Sequence, residues 1–294
     1  MKSTMNRRSL KVKEALINPH LPAFRSGHRL LQRPSPQKLF PGSAVILSLG
    51  AVIGIVMVLQ TARVEAQTIQ EPPAAQNHGF TPASREGEKW WADRYAEKNA
   101  EMGKRDIDLL MIGDSITAGF EADGPGAKVW KQYFEPRKAI NLGFGGDLIE
   151  QVLWRLEHMP KLKKAPKGAV VLIGTNNICW GSTPRKQAAE GIQVVARKLQ
   201  ELYPETKILV LAVFPRRGKP TNPFRLQINE LNSYLPELLK DMKNVTLLDI
   251  GPKFLDEKGY LLKDVMPDGT HPSEAGYEIW AKAIEPELKK MLGE

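Results

Sequence analysis

From about residue 85 onward the chain alternates between two patterns: short runs that are apolar throughout, and longer stretches in which apolar residues recur every three or four positions. The continuous runs are "DLLMIG" (108–113), "KAINLG" (138–143), "GAVVLIG" (168–174), "KILVLAVFP" (207–215) and "VTLLDI" (245–250), each of strand length. Helical spacing predicts helices over 86–102, 148–158, 184–202, 223–242 and 273–291. A strand with no polar side must be covered on both faces, and strands that alternate with helices pair in parallel. Right-handed crossovers then make a three-layer α/β/α domain over residues 85–294, with ligands expected at the C-terminal ends of its strands.

The first 84 residues break this pattern. A basic head (1–43) precedes the apolar run "AVILSLGAVIGIVMVL" (44–59), and "VEAQ" (64–67) ends in a small residue where a signal peptidase could cut. Residues 44–66 therefore read either as a cleaved signal peptide or as an uncleaved anchor that tethers the protein to a membrane through 44–59. Both readings export the remainder to a periplasmic or extracellular space, because the Lys/Arg excess stays inside. Residues 67–84, rich in Pro, Gln and Ala, read as a flexible tether.

Charge changes the picture only once it is placed along the chain. Residues 1–43 hold nine Lys/Arg against Glu14 alone, so the rest carries a single unit of the formal net charge of +9. That removes the case for nucleic acid as a partner. With 42% hydrophobic residues the chain can build a substantial core. Cys179 is the only cysteine, which excludes an intrachain disulfide; with no His-Glu-x-x-His pattern either, no metal is expected.

Polar clusters follow the strands where chemistry is expected: "GDSIT" after the first, "GFGGD" after the second, "GTNN" after the third and "DGTHP" ahead of the last helix. Ser115 in the first cluster needs a base to act as a nucleophile. Of five histidines, His20, His28 and His78 precede the domain and His158 suits a helix C-terminus, which leaves His271. Asp268, three residues earlier, can hold its imidazole in one tautomer. The Ser115 N–H, the Gly146 N–H and the Asn176 side-chain amide are suitable donors for a developing oxyanion. Asp114 and Asp147 are candidate braces for their turns, and Arg155 a candidate ion-pair partner. Trp130, Phe144 and Trp154 read as core, with Phe144 as an alternative wall for an acyl group. The basic loop "RRGK" (216–219) reads as solvated, with contact to an anionic substrate as the alternative.

Those four blocks, in this order and approximate spacing, resemble the SGNH (GDSL-type) hydrolase family. Within it, "NLGFGGDLIEQVLWRL" and "FPRRGKPTNPFR" are similar to the catalytic subunits of platelet-activating factor acetylhydrolases. The similarity covers about residues 88–292. It implies a flavodoxin-like sandwich with five parallel strands in the order 2-1-3-4-5, no cofactor, Ser115 as nucleophile, His271 as base, Asp268 as its partner, and an oxyanion hole of Ser115, Gly146 and Asn176. It also leaves a homodimer open. The expected function is a serine esterase acting on a small acylated substrate, an acetylated sugar in the first instance. The alternatives are a lipid acetylhydrolase or lysophospholipase, and a non-catalytic ligand-binding protein on the same fold. A phosphate-binding flavodoxin-like protein would not need Asp268 and His271 in one loop. The larger α/β-hydrolases are disfavoured because Thr117 stands where their Gly-x-Ser-x-Gly elbow has its second glycine.

Overall fold

The computed structural model describes residues 80–121, 123–180 and 183–294, so the basic head and the apolar run at 44–59 lie outside the described residues. Among the described residues no helix is long and apolar enough to cross a membrane. Strands β1 (Leu109–Gly113), β2 (Ala139–Gly143), β3 (Gly168–Leu172), β4 (Lys207–Leu211) and β5 (Val245–Leu248) form one parallel sheet in the order β2-β1-β3-β4-β5. This is the flavodoxin-like order that the resemblance implied.

Why the strands are apolar on both sides is visible in how their residues alternate. Leu110, Ile112, Ile140, Leu142, Val171 and Val210 face one core, which is closed by α4 (Ile149–His158), α6 (Arg185–Leu202) and α7 (Pro223–Leu239). Leu109, Met111, Val170, Leu172, Leu209 and Leu211 face the other, closed by α3 (Ala127–Tyr133) and α8 (Glu274–Leu292). In the second core Phe120 sits among Phe134, Tyr277 and Trp280. Helix α1 (Lys89–Lys104) lies outside the β2 edge, where Trp91 and Tyr95 both meet Trp154 of α4.

Three features differ from the sequence pattern. Phe80 is packed so tightly on α6 that a Cβ on Gly191 would lie 2.4 Å from its ring, and the Ala83 N–H donates to Glu150 O at 3.2 Å. The end of the stretch read as tether is thus laid on the domain. The run 207–215 pairs as a strand only to Leu211; at Val213 the side chain of Asn232 takes both the N–H and the C=O, which ends the ladder. Two single-turn helices, α2 (Ser115–Ala118) and α5 (Thr175–Cys179), are too short to show a period in sequence.

Helix α2 passes so close to the ends of β1 and β2 that only glycine fits beneath it. A Cβ on Gly143 would fall 2.2 Å from Ala118 N and 2.7 Å from Thr117 C; both are backbone atoms that cannot step aside. Gly143→Ala is expected to destabilise the protein by roughly 3 kcal/mol in urea unfolding, the upper range for overpacking. Gly87→Ala, where nothing lies within 4 Å, is expected to stay within about 0.5 kcal/mol of the wild type.

Candidate active site

The turn after β1 and the loop before α8 are brought together across 156 residues of chain. Ser115 Oγ lies 2.8 Å from His271 Nε2, and His271 Nδ1 lies 2.6 Å from Asp268 Oδ2. A carboxylate can only accept, so Nδ1 carries the ring proton and Nε2 is left free to accept from the serine. Asp268 is held from its own loop: its Oδ1 accepts the N–H of Thr270 at 2.8 Å and of His271 at 2.7 Å. Burial works against the carboxylate, but these bonds and the imidazole outweigh it and keep Asp268 below its ordinary pKa. The loop is steadied at its far end, where the Ser273 hydroxyl accepts the Gly276 N–H and caps α8 as its sequence position suggested.

On the serine side the structure is buried and densely bonded. Asp114 caps α2 by accepting the Ile116 N–H at 2.9 Å, and Tyr277 donates its hydroxyl to Ile116 O at 2.7 Å. In the loop after β2, Asp147 is fully buried and accepts from Trp91 Nε1 at 2.8 Å, Arg155 Nε at 3.0 Å and Arg85 Nη1 at 3.4 Å. Arg155 also donates to Leu142 O and Gly113 O, and its guanidinium lies 4.1 Å over the Phe144 ring. Burial raises the Asp147 pKa, and Arg155 is the main group opposing that rise. Asn176, on α5, donates its amide to Asp147 O at 3.0 Å. Gly146 takes a left-handed φ of 73°, and a Cβ there would lie 3.3 Å from the exposed Trp180 ring. The N–H groups of Ser115 and Gly146 donate to no backbone or side-chain acceptor among the described residues.

A hydroxyl, an imidazole and a carboxylate bonded in series can carry out acyl transfer. Residues 111–279 match the family model described as the GDSL-like lipase/acylhydrolase family. The chain belongs to that family. It is 30% identical over 209 residues to the platelet-activating factor acetylhydrolase IB subunit alpha2 of Rattus norvegicus, covering 71% of this chain and 88% of that one. Its fold matches that of a GDSL-like lipase from Bacteroides thetaiotaomicron, with a TM-score of 0.56 and 22% identity over 67% of this chain and 97% of the other. It also matches the acetyl xylan esterase AlAXEase, with a TM-score of 0.52 and 23% identity over 62% of this chain and 100% of that one.

In this GDSL acylhydrolase the other candidate residues fall into place as follows. Phe144 is buried between Trp91, Arg94 and Arg155 and so belongs to the scaffold rather than to an acyl pocket. His158 ends α4 with its Nδ1 2.8 Å from Trp154 O, the helix C-terminal place its sequence position suggested. Trp154 is only half-buried and stacks on that imidazole. Burial raises the Cys179 thiol pKa against the fields of Arg216 and Arg217. Arg216 is a correction to the solvated reading of its loop: it is 9% exposed and donates to Thr175 Oγ1 at 3.3 Å, while only residues 217–219 are solvent-facing. Among the described residues no group of three or more His, Cys, Asp or Glu side chains is placed to hold a metal ion.

Sequence reasoning missed Arg85 and Trp91, because nothing in a residue next to a Pro-rich stretch, or in one helical tryptophan among many, announces a bond to a loop 60 positions away. The Arg85 Nη1 also donates to Gly145 O at 2.8 Å, so the first turn of the packed chain clamps the loop that carries Gly146.

Asp114 gives the acylhydrolase a pH signature. Burial pushes its carboxyl up to about 7 from an ordinary 3.8, with the Ile116 N–H bond and Arg216 acting against that shift. Because the folded pKa is the higher one, the native state holds a proton that the unfolded chain has lost between about pH 4 and 7. Stability should therefore fall as pH rises through that window and level off above it. Asp114→Asn abolishes this slope: relative to the variant, the wild type is expected to lose about 3 kcal/mol between pH 4.5 and 7.5 in urea unfolding. A constant difference across the window would refute it.

Proposed function

We propose that the protein is a serine esterase that removes short acyl groups, acetyl in the first instance, from hydroxyl groups of sugars. The observation that carries this reading is the bonded series Ser115, His271, Asp268 beside two backbone N–H groups that no acceptor among the described residues claims. Ser115 Oγ attacks the ester carbonyl carbon as its proton passes to His271 Nε2. The charge that develops on the carbonyl oxygen is met by the N–H groups of Ser115 and Gly146 and by the second N–H of the Asn176 amide, whose first is already bonded to Asp147 O. His271 returns the proton to the departing alcohol. Water, activated by the same ring, then frees the acid and restores the serine.

Two features support a sugar as the alcohol. The side chains of His271 and Asp268 are 43% and 55% exposed, so the leaving-group side opens to solvent as a hydrated chain would need. The export signature at residues 1–66 would place the enzyme where extracellular or periplasmic glycans are. The name of the mammalian relatives supports a second reading, an acetylated phospholipid.

The full-length protein is expected to hydrolyse p-nitrophenyl acetate faster than the butyrate and octanoate esters. Ser115→Ala should lower kcat by at least about 10³-fold, and Asn176→Ala by about 10²-fold, as for loss of one oxyanion donor. Unchanged turnover in Ser115→Ala would remove Ser115 as the nucleophile. Release of acetate from acetylated xylan, compared with an alkyl acetyl glycerophosphocholine, separates the two alcohols.

A further inference from the structure

About half of the basic side chains in the described domain are paired, among them Arg137 with Glu285 and Glu294, Lys98 with Glu101 and Glu121, and Lys128 with Glu274. Arg216, Arg217, Lys219 and Lys263 are not; among the described residues no carboxylate lies within ion-pair distance of any of them. Three of the four gather beside Asp268. Arg217, Lys219 and Lys263 line a cleft of about 450 Å³ with Tyr260 and Met266, and the same cleft is walled by Asp268. Asp268 is its one acidic residue, and that carboxylate is already engaged by His271 and two backbone N–H groups. Arg216, next to Arg217 in the same loop, is more than nine-tenths buried; its Nη1 donates to Thr175 Oγ1, and its Nε has no hydrogen-bond partner among the described residues.

The cleft is built rather than incidental. Buried Arg225 donates to Arg216 O at 3.0 Å, to Arg217 O at 2.5 Å and to Gly259 O at 3.1 Å, which locks the loop after β4 to the loop that supplies Tyr260. Further bonds run from Arg217 N to Gly269 O at 2.8 Å and from Leu261 N to Gly218 O at 3.0 Å. Arg217 is held at a φ of 67°, a conformation that non-glycine residues seldom adopt. The cations are thus presented on a fixed frame, which limits the ordering cost of binding.

Direction follows from the chemistry of the site. His271 must hand its proton to the leaving oxygen, so the alcohol half of the ester lies toward the His271 loop, away from Gly146. The cleft shares Asp268 and Gly269 with that loop. We propose that the cleft lined by Arg217, Lys219 and Lys263 is an anion subsite, and that the alcohol half of the substrate carries a carboxylate or phosphate, as in an acetylated acidic sugar. The proposal rests on the esterase reading and deepens it by giving the alcohol a charge. Clustered cations in a cleft raise the local concentration of an anionic substrate, an effect that weakens as salt is added.

The test uses the full-length protein with an acetylated oligogalacturonate and its methyl-esterified, neutral counterpart. At low salt kcat/KM is expected to favour the acid by about tenfold. That ratio should fall toward one with added NaCl, and in the Lys219→Glu, Lys263→Glu double variant, whose changes lie on exposed side chains. A ratio near one that neither salt nor the variant alters overturns the subsite while leaving the esterase intact. An alkyl acetyl glycerophosphate forms the second arm: preference for it over the uronate identifies a phosphate-bearing lipid as the source of the anion. If no ester is cleaved, the esterase reading fails, and calorimetric titration of Ser115→Ala with oligogalacturonate and with inorganic phosphate still decides the subsite. Binding that the double variant loses supports it, and absence of binding to both overturns it.

Discussion

The site depends on one buried guanidinium. Arg155, 2% exposed, ties Gly113 O at the end of β1 and Leu142 O near the end of β2 to Asp147 and stacks on Phe144, so the strand that delivers Ser115 and the loop that delivers Gly146 share one anchor. Burying such a pair is costly, and it is tolerable here because almost every polar atom of both partners is bonded. Taking one partner away would leave a naked charge in the core, which typically costs about 3–5 kcal/mol. Asp147 in turn presents its backbone carbonyl to Asn176, so the donor on α5 is positioned by the same network. Arg85 and Trp91 complete it from the first turns of the packed chain.

The two halves of the site are held by different means. The serine half is buried, glycine-tight and braced by long-range bonds. The histidine half is local: within a single loop Asp268 accepts from Thr270 N, His271 N and the His271 ring. A short loop can orient an imidazole this way without burial, which lets the base stand half-exposed beside the cleft that bears the unpaired cations. Rigidity thus lies where charge must be stabilised on the carbonyl oxygen, and openness where the alcohol must leave.

Much of this architecture is legible in the order of residues along the chain. Five apolar runs become five strands because a sheet covered on both faces leaves no polar side, and the run 207–215 overshoots only because Asn232 intercepts the backbone at Val213. Asp268 and His271 can be paired by spacing, since three residues span one turn. Ser115 and His271 can be matched by elimination and by resemblance, because only one histidine stands in a loop at the proper edge of the sheet. The short helices α2 and α5 cannot be read, as one turn carries no period.

What only the tertiary structure decided concerns partners and exposure. Asp147 reads in sequence as a brace for its turn and Arg155 as an ion-pair partner, but that the two meet, and that Trp91 and Arg85 join them, follows from folding α1 and the chain ahead of it against β2 and α4. Phe144 has two readings in sequence, and burial under Arg155 assigns it to the scaffold. Arg216 and Arg217 are adjacent in sequence and alike in chemistry, yet one is buried with no carboxylate within ion-pair distance among the described residues and the other opens on the cleft beside Asp268. Local pattern determines which residues become strand, helix or turn, because those preferences act over a few residues. Which charges meet, which remain unpaired and which face water depends on segments brought together from distant parts of the chain, and no local pattern encodes that.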